Sequence, residues 1–422
     1  MASHGISRSE YAAQSRDEHL REKELKKIKE YNELAGIVQG QRLAKEYTLD
    51  ALEGTARLLR LNPEYYTIWN YRREILQQVL LVKYSPPEIA PSPTSTSTET
   101  DPEVHETEQD PEEVTKSLHA AYTSKATLHL KEELAFLLPL LSSFPKCYWI
   151  WNHRLWTLQR ATEILPADKA GIFWQEELGL VGLMLRRDVR NFHGWMYRRF
   201  VISNIESPRR KNVSSDEVEN SSSKDTSLVE QEFAYTTKMV QGIGGMSNYS
   251  AWHNRSKLIP RLLSERNYGS QERMDFLEDE LELLKRNIST NPHDQSLWFY
   301  HRWLIYSNTI TPDRDTPDAI SPAMSRGTKL LMLAAEIGNL QDLLEAHAEC
   351  KYILKALVEY VGLSQRVRKD PKDPDGDEDE EEWTEDDEKK QREDARGWLA
   401  RLISIDPMRK GRYQEILRGL ED

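Results

Sequence analysis

The fold is decided by a stretch that recurs along the chain, PKCYWIWNHRLW at residues 145–156. It packs three tryptophans, a tyrosine, a histidine and two cations into twelve residues. Aligned on its second tryptophan, the same frame of residues occurs five times, around Trp69, Trp151, Trp195, Trp252 and Trp298. Such self-similarity is typical of helical repeat proteins, in which each two-helix unit buries its apolar face against the next unit.

Arginine is the second recurring element of the frame, three residues after the tryptophan. Four copies carry it there, whereas the fifth copy has His301 at that position and Arg302 one residue later. Tryptophan and arginine are one helical turn apart and therefore lie on the same helix face. A large ring and a guanidinium group with five donors suit a helix interface that is both packed and hydrogen-bonded. The sequence thus predicts a structural role for Arg72, Arg154, Arg198, Arg255 and Arg302.

Apolar residues elsewhere follow helical spacing, and the alternation expected of strands does not persist. The sequence predicts an all-α protein, a right-handed superhelix or crescent-shaped solenoid of helical hairpins. An N-terminal arm and helix at 1–36 precede a single repeat domain at 37–422, with a sixth, degenerate unit from Leu340 onward that the acidic insert interrupts. Three polar segments are expected to be disordered inserts, at about 85–116, 206–227 and 369–390.

Charge is concentrated in one place. Residues 370–388 hold thirteen carboxylates and one lysine, so nearly all of the net charge of −13 lies there. The rest of the chain is close to neutral and has no basic stripe, which argues against nucleic acid as a partner.

The sequence also limits the cellular compartments in which this protein is expected. No run of about 20 apolar residues is present, so we expect no integral membrane protein. The N-terminal residues lack the apolar core of a secretory signal. The two cysteines, Cys147 and Cys350, are too few for a disulfide framework or a four-ligand zinc site. These features predict a cytoplasmic protein in a reducing environment, with no cofactor bound by this chain alone.

The turn inside each hairpin is where the copies differ. Proline six positions before the tryptophan ends the first helix in three copies, at Pro63, Pro145 and Pro292. All such turns project to one edge of a solenoid, here called the turn edge, and repeat proteins use exposed turns for binding. Within the repeated frame the turn residues diverge, which indicates that individual turns have separate functions.

The frame resembles the repeat of protein prenyltransferase α subunits, and most of all that of Rab geranylgeranyltransferase (type II) in its compact fungal-type form. The similarity is carried by NFHGWMYRRF at 191–200, NYSAW at 248–252, DQSLWFYHRW at 294–303 and DPMR at 406–409. The resemblance implies a helical crescent around a β subunit, which holds a catalytic zinc and most of the isoprenoid pocket. It also implies transfer of geranylgeranyl from geranylgeranyl diphosphate to C-terminal cysteines of Rab GTPases, presented by an escort protein.

The same resemblance implies roles for four residues of the turn edge. Lys146 matches a lysine near the diphosphate of the prenyl donor, where a fixed ammonium would stabilise the charge that develops on the leaving group. Tyr148 matches a tyrosine at the junction of the two substrates, although packing against neighbouring hairpins is an equal alternative. His193 matches a histidine of the same edge, and Tyr249 occupies the position of Tyr148 in a later copy. Trp149 replaces a polar residue that helps farnesyltransferase-like members bind a peptide carboxylate.

One further residue and two rival functions complete the predictions. His4 resembles an N-terminal histidine that reaches the β-subunit zinc, the alternative being a disordered tail. The chain is alternatively the shared α subunit of farnesyltransferase and geranylgeranyltransferase I. It is alternatively a non-catalytic helical-repeat scaffold. The lone chain is expected to be inactive, because its sequence shows no zinc-ligand cluster, no Ser-His-Asp signature and no phosphate-binding glycine loop. The glycine run at Gly242, Gly244 and Gly245 lacks the strand context that such a loop needs.

Overall fold

The computed structural model describes residues 18–81, 111–211, 227–309, 319–321, 324–369 and 384–420. Regular structure in these ranges is entirely helical, which confirms the all-α prediction. The chain divides into two compact units, residues 1–218 and 219–422. No helix within the described ranges combines the length and the apolar character needed to cross a bilayer.

The first unit is built from seven helices in its described parts, followed in one place by a π-helical turn at Leu76–Leu81. These helices are α1 (Glu18–Leu43), α2 (Leu49–Leu61), α3 (Tyr66–Ile75), α4 (Pro111–Ser143), α5 (Tyr148–Ile164), α6 (Ala167–Arg187) and α7 (Phe192–Lys211). Chain neighbours α2 and α3, α4 and α5, and α6 and α7 pack as hairpins, and the second helices α3, α5 and α7 also contact one another in order.

The second unit repeats this arrangement. Its described helices are α8 (Leu228–Gln241), α9 (Tyr249–Glu265), α10 (Ser270–Thr290), α11 (Gln295–Thr309), α12 (Arg326–Ala346), α13 (Lys351–Arg368), α14 (Glu385–Ile405) and α15 (Lys410–Arg418), with a 3-10 turn at Pro407–Arg409. Hairpins form from α8 and α9, α10 and α11, and α12 and α13, and α11 contacts both α9 and α13. In each unit the hairpins therefore stack in chain order, as predicted for a helical repeat.

Local sequence explains where a typical hairpin begins and turns. The Thr48 side chain accepts a hydrogen bond from the Ala51 backbone N–H and caps the start of α2. Buried Leu58 and Leu59 give α2 its apolar face. The helix ends at Leu61, two residues before Pro63, because proline disfavours helical backbone in the residue before it.

The fourth hairpin turns on glycine instead of proline. Gly244 has a φ of 70°, a left-handed conformation that residues with a side chain rarely adopt. At Gly245 a Cβ would lie 2.2 Å from the Met239 carbonyl oxygen, so no other residue fits without a shift of the turn. This glycine run is thus a helix-to-helix turn.

The sixth hairpin differs from its prediction. It begins at Arg326 and not at Leu340, and residues 347–350 form its turn. Cys350 takes the place of Cys147, because the two thiols donate to the carbonyls of Pro292 and Pro63 at 3.2 and 3.4 Å. The acidic insert follows α13 and does not interrupt the hairpin.

Several predicted segment boundaries also differ from the observed ends of the helices. Helix α1 extends past residue 36. Helices α4, α7 and α14 extend into the segments expected to be inserts, at residues 111–116, 206–211 and 385–390. The central parts of the three inserts lie outside the described residues, as does the N-terminal arm before residue 18.

Candidate functional site at the turn edge

Each frame tryptophan fixes its own turn. Its indole N–H donates to the backbone carbonyl six residues earlier, at 2.7 to 3.0 Å in all five copies. The acceptors are Pro63, Pro145, Val189, Met246 and Pro292. We call this bond the turn brace. Because the ring is buried and its N–H is satisfied, the brace holds the residues between acceptor and tryptophan in a defined loop at the surface.

The frame arginines join one hairpin to the next, as predicted. Arg154 donates from Nε and Nη2 to the two carboxylate oxygens of Glu177 at 2.8 and 2.7 Å. Arg72 makes the same paired contact with Glu133, at 2.8 and 2.6 Å. In the second unit, Arg255 forms this contact with Glu280. The third frame arginine, Arg198, is also buried.

The fifth copy corrects the prediction for Arg302. His301 takes the structural position, since it is buried and its Nε2 lies 3.0 Å from Glu336. The Arg302 side chain is 52% exposed and pairs with Glu359 at 3.2 Å. The third position after Trp298 is therefore the structural one whichever residue occupies it, because His301 lies buried against Glu336 while Arg302 stays half exposed.

The carboxylates of these pairs were missed from the sequence. Glu133, Glu177 and Glu280 each stand eighteen residues before the tryptophan of their own hairpin, and Glu336 stands eighteen before Leu354. Glu133, Glu177 and Glu280 each form a further hydrogen bond within their own hairpin. The partner is the residue two positions after the tryptophan. Those partners are His153, Tyr197 and Tyr300, at 2.8, 2.8 and 2.6 Å. A search for shared spacing beyond the turn would have found them.

Burial strongly affects the pKa values of the ionisable groups in these networks. Burial alone would raise the pKa of Glu133, but the charge of Arg72 and hydrogen bonds from His153 and Arg72 lower it to about 2. Burial lowers the pKa of His153 to about 4, against the opposing effect of Glu133. His153 is therefore neutral near pH 7.

Above the braces, aromatic rings point to the surface. The residue three before the tryptophan is Tyr66, Tyr148 or Phe192 in the first unit and Tyr249 in the second, and all four are about half exposed. Tyr148 is 43% exposed, so its ring is only partly covered by its neighbours and remains accessible at the turn edge. Exposed aromatic rings in a fixed row are available for binding.

Three of the predicted site residues come together on the turn edge of the first unit. The Tyr148 and His193 rings have centroids 6.3 Å apart. Lys146 follows the brace acceptor Pro145, and its Nζ lies 4.0 Å from an Asp188 carboxylate oxygen in the next turn. The Lys146 side chain is 77% exposed, and this long, exposed ion pair is weak enough for another anion to replace it.

Two further features of this edge bear on ligands. Trp149 stacks on Tyr66 at 5.4 Å, so it extends the aromatic surface of the turn edge. His193 Nδ1 is enclosed and has no hydrogen-bonding partner among the described residues. An enclosed ring nitrogen without a partner is costly in an isolated chain, which is consistent with a contact made on assembly or ligand binding.

The fourth predicted site residue belongs to the other unit. Tyr249 stacks on His253 at 6.0 Å and meets the edge of Phe299 at 5.7 Å. His4 lies outside the described residues. Across the described ranges, no three His, Cys, Asp or Glu side chains are placed to hold a metal ion.

Comparison with known proteins agrees with this geometry. The model of the protein prenyltransferase alpha subunit repeat matches residues 49–79, 130–161, 174–205 and 277–308, which contain four of the five frames. The chain is 30% identical to geranylgeranyl transferase type-2 subunit alpha of Saccharomyces cerevisiae, over 98% of this chain and 98% of the yeast protein. The chain belongs to the geranylgeranyl transferase type-2 α subunits.

A second relative and a solved structure extend the comparison. The type-2 α subunit of Candida albicans is 30% identical over 99% of this chain and 98% of that protein. A chain of the Candida albicans protein geranylgeranyltransferase-I complexed with GGPP matches with a TM-score of 0.54. That match covers 93% of this chain and 91% of the other. At 17% identity it supports the fold alone. The type-2 relatives favour this α-subunit family over the shared type-I subunit and the unrelated scaffold considered above.

Proposed function

We propose that this α subunit works in a heterodimer with a β subunit, and that the pair transfers geranylgeranyl from geranylgeranyl diphosphate to C-terminal cysteines of Rab GTPases. The observation that carries the proposal is the placement of Lys146 beside Tyr148 and His193 on a braced turn edge. In the transfer, the cysteine sulfur bonds to the first prenyl carbon, and diphosphate leaves with the electron pair of the broken carbon–oxygen bond. A site for this reaction needs fixed positive charge next to the leaving oxygen.

Lys146 supplies that charge in the proposed reaction. The turn brace of Trp151 to the Pro145 carbonyl fixes the backbone next to Lys146, while the side chain stays long and exposed. The diphosphate would displace Asp188 as the partner of the ammonium. Tyr148 and His193 would line the junction of the two substrates, and Tyr249 the edge of the second unit. The proposal assigns the catalytic zinc to the β subunit and uses no described residue of this chain as a zinc ligand.

An escort protein is the proposed source of Rab substrate. We assign its binding to the first helices of the last three hairpins, α8, α10 and α12. A groove of about 610 Å³ lies between α10 and α12, where exposed Leu331 and the carboxylates of Glu278 and Glu282 face outward. An apolar contact ringed by acid suits a partner with a hydrophobic side chain among basic residues. We place the assembly in the cytoplasm.

Coexpression tests this function. The chain is produced with candidate β subunits, and transfer of labelled geranylgeranyl to a Rab GTPase is measured with and without escort protein. We expect transfer only with both a β subunit and the escort protein, and none from the α chain alone. Escort-independent transfer to a short C-terminal peptide would show instead a shared type-I α subunit. Transfer by the isolated chain would refute the proposed division of labour.

A further inference from the structure

A chain of hydrogen bonds runs from the buried Glu133 network to the exposed hydroxyl of Tyr148. It begins at His153, whose Nε2 lies 2.8 Å from Glu133 Oε1. Arg73 donates from Nε to His153 Nδ1 at 3.2 Å and from Nη2 to Asn152 Oδ1 at 2.5 Å. Asn152 then donates from Nδ2 to the Tyr148 hydroxyl oxygen at 3.1 Å.

The direction of every bond in this chain is fixed by chemistry. A guanidinium group has donors only, so both groups that face Arg73 must accept. His153 therefore accepts at Nδ1 and carries its proton on Nε2, which donates to Glu133. Asn152 turns its carbonyl oxygen to Arg73, so its amide N–H must face Tyr148. The amide orientation follows from the arginine and is not a free choice.

Tyr148 is the last member of this chain of hydrogen bonds, and the role of its hydroxyl hydrogen is determined as well. A phenol has one O–H donor and an oxygen that accepts. Because Asn152 supplies a donor to that oxygen, the hydrogen of Tyr148 is left to donate elsewhere. The ring is 43% exposed at the turn edge, two residues from Lys146.

Packing holds the Arg73 side chain in a position from which it orients both His153 and Asn152. Its guanidinium lies 5.6 Å from the centre of the Trp156 ring, and burial lowers its pKa from the ordinary value. Arg72, its neighbour in sequence, makes the paired contact with Glu133 that fixes the other end. This chain of hydrogen bonds, here called the relay, is thus buried at its Glu133 end and reaches the surface at Tyr148.

We infer that Asn152 and Arg73 are positioning residues that hold the Tyr148 hydroxyl as an outward hydrogen-bond donor to an oxygen of the departing diphosphate. This inference rests on the proposed function, in which the diphosphate sits at this edge beside Lys146. A donor fixed before the reaction begins stabilises the charge on the leaving oxygen without reorganisation. Asn152 and Arg73 themselves touch neither substrate.

Asn152→Asp is the decisive change, because it is nearly isosteric and reverses one bond. The carboxylate still accepts from Arg73, but it accepts from Tyr148 as well and takes up the hydrogen of the hydroxyl. In the heterodimer with donor prebound, we expect the single-turnover rate to fall by about tenfold or more, with donor affinity and melting temperature unchanged. Asn70→Asp is the matched control, since Asn70 is exposed at the same frame position in the first hairpin and should leave the rate unchanged.

A double-mutant cycle separates the relay from a simple effect of added charge. Tyr148→Phe removes the outward donor and should slow the reaction by a similar factor. Asn152→Asp added to Tyr148→Phe should then have no further effect, because the residues act through one hydroxyl. An equal slowing in the Phe background would show a field effect of the carboxylate and overturn the inference.

A spectroscopic readout keeps the inference distinct from the proposed function. Infrared difference spectra of the full chain with ring-labelled tyrosine, using Tyr148→Phe as the blank, report the phenol C–O stretch of Tyr148 alone. That band differs between hydroxyls that accept and hydroxyls that donate, so Asn152→Asp should move it and Asn70→Asp should not. An unmoved band refutes the relay whatever the enzyme assay shows. A moved band without any transfer activity refutes the proposed function and leaves the hydrogen-bond direction standing.

Discussion

Arg154 and Glu177 form a two-pronged ion pair between successive hairpins, with both partners almost fully buried. Tyr197 donates a third hydrogen bond to the same carboxylate at 2.8 Å. Burial alone would lower the pKa of Arg154, but Glu177 outweighs it and the pKa is raised. The pair therefore stays charged in the interior, where each partner depends on the other.

Removing one partner of this pair should destabilise the first unit. Arg154→Met leaves Glu177 buried without its counter-charge, for which about 3–5 kcal/mol is the usual cost. Urea unfolding monitored by tryptophan fluorescence measures the change. Arg154→Met combined with Glu177→Met should recover much of the loss, since neither charge remains. Arg160→Ala, which breaks an exposed pair with Glu163, should change stability by less than about 1 kcal/mol.

Lys146→Ala in the heterodimer should slow the chemical step by about 10²–10³, or ~3–4 kcal/mol, as for loss of one preorganised donor. Lys146→Arg should keep part of the rate, because the charge remains while its shape changes. Single-turnover kinetics with prebound donor isolate this step. The control is Lys169→Ala, an exposed lysine at the start of α6. A wild-type rate for Lys146→Ala would make Lys146 an ordinary surface lysine.

Acid should weaken the first unit through His153. Its pKa is lowered to about 4 in the fold and is about 6.5 in an unfolded chain. The unfolded state therefore binds more protons in this range. The His153 contribution is constant above about pH 7 and falls by up to about 3 kcal/mol as the pH drops from 6.5 to 4. Unfolding free energies of wild type and His153→Gln across this range test the prediction. Parallel curves would show that His153 titrates normally.

Escort binding should depend on the groove between α10 and α12. Leu331→Asp and Glu282→Lys each change a side chain at this groove. We expect both to weaken escort affinity by about tenfold or more and to leave assembly of the α and β subunits intact. Calorimetry with purified heterodimer measures the affinity. Leu183→Asp, on an exposed leucine of α6, provides the control. Unchanged affinity in both groove variants would move the escort site elsewhere.

Two deletions should separate the acidic segment from the helix that follows it. Residues 370–383 are dense in carboxylates, which repel one another. Their removal should leave the melting temperature and transfer activity unchanged. Extending the deletion to residue 388 also removes Thr384 and Asp387, whose reciprocal hydrogen bonds cap α14. That deletion should cost about 1 kcal/mol more. Loss of soluble heterodimer in the shorter deletion would contradict this division.

The hairpins could be predicted from sequence because their determinants are local. The turn brace lies within seven residues, so the six-residue spacing from the acceptor to the tryptophan determines each turn. The same holds for the helix face shared by Trp151 and Arg154. For this reason five hairpins and the position of Lys146, Tyr148 and His193 followed from the frame alone.

What could not be predicted depends on contacts between distant helices. Glu177 is one acid among many in a charged chain, and only the fold shows that it meets Arg154. The sixth hairpin was misplaced because Leu354 stands where earlier copies have tryptophan, which leaves a leucine-rich run without a visible turn. The hydrogen bond from Asn152 to Tyr148 has helical spacing, but its direction depends on Arg73 from another hairpin.

The bond from each frame indole to the carbonyl six residues earlier has a consequence for protein engineering. The loop it closes is specified at its two ends, by an acceptor carbonyl and a tryptophan, and any residue supplies a carbonyl. In the loop before Trp151, Cys147 is buried against the Pro63 carbonyl, whereas the side chains of Lys146, Tyr148 and Trp149 are at least partly exposed and therefore exchangeable. Placing the side chains of Lys146 and Trp149 at the matching positions of the Trp252 hairpin, with the buried cap Asn248 kept, should transplant their surface chemistry while the scaffold keeps its shape.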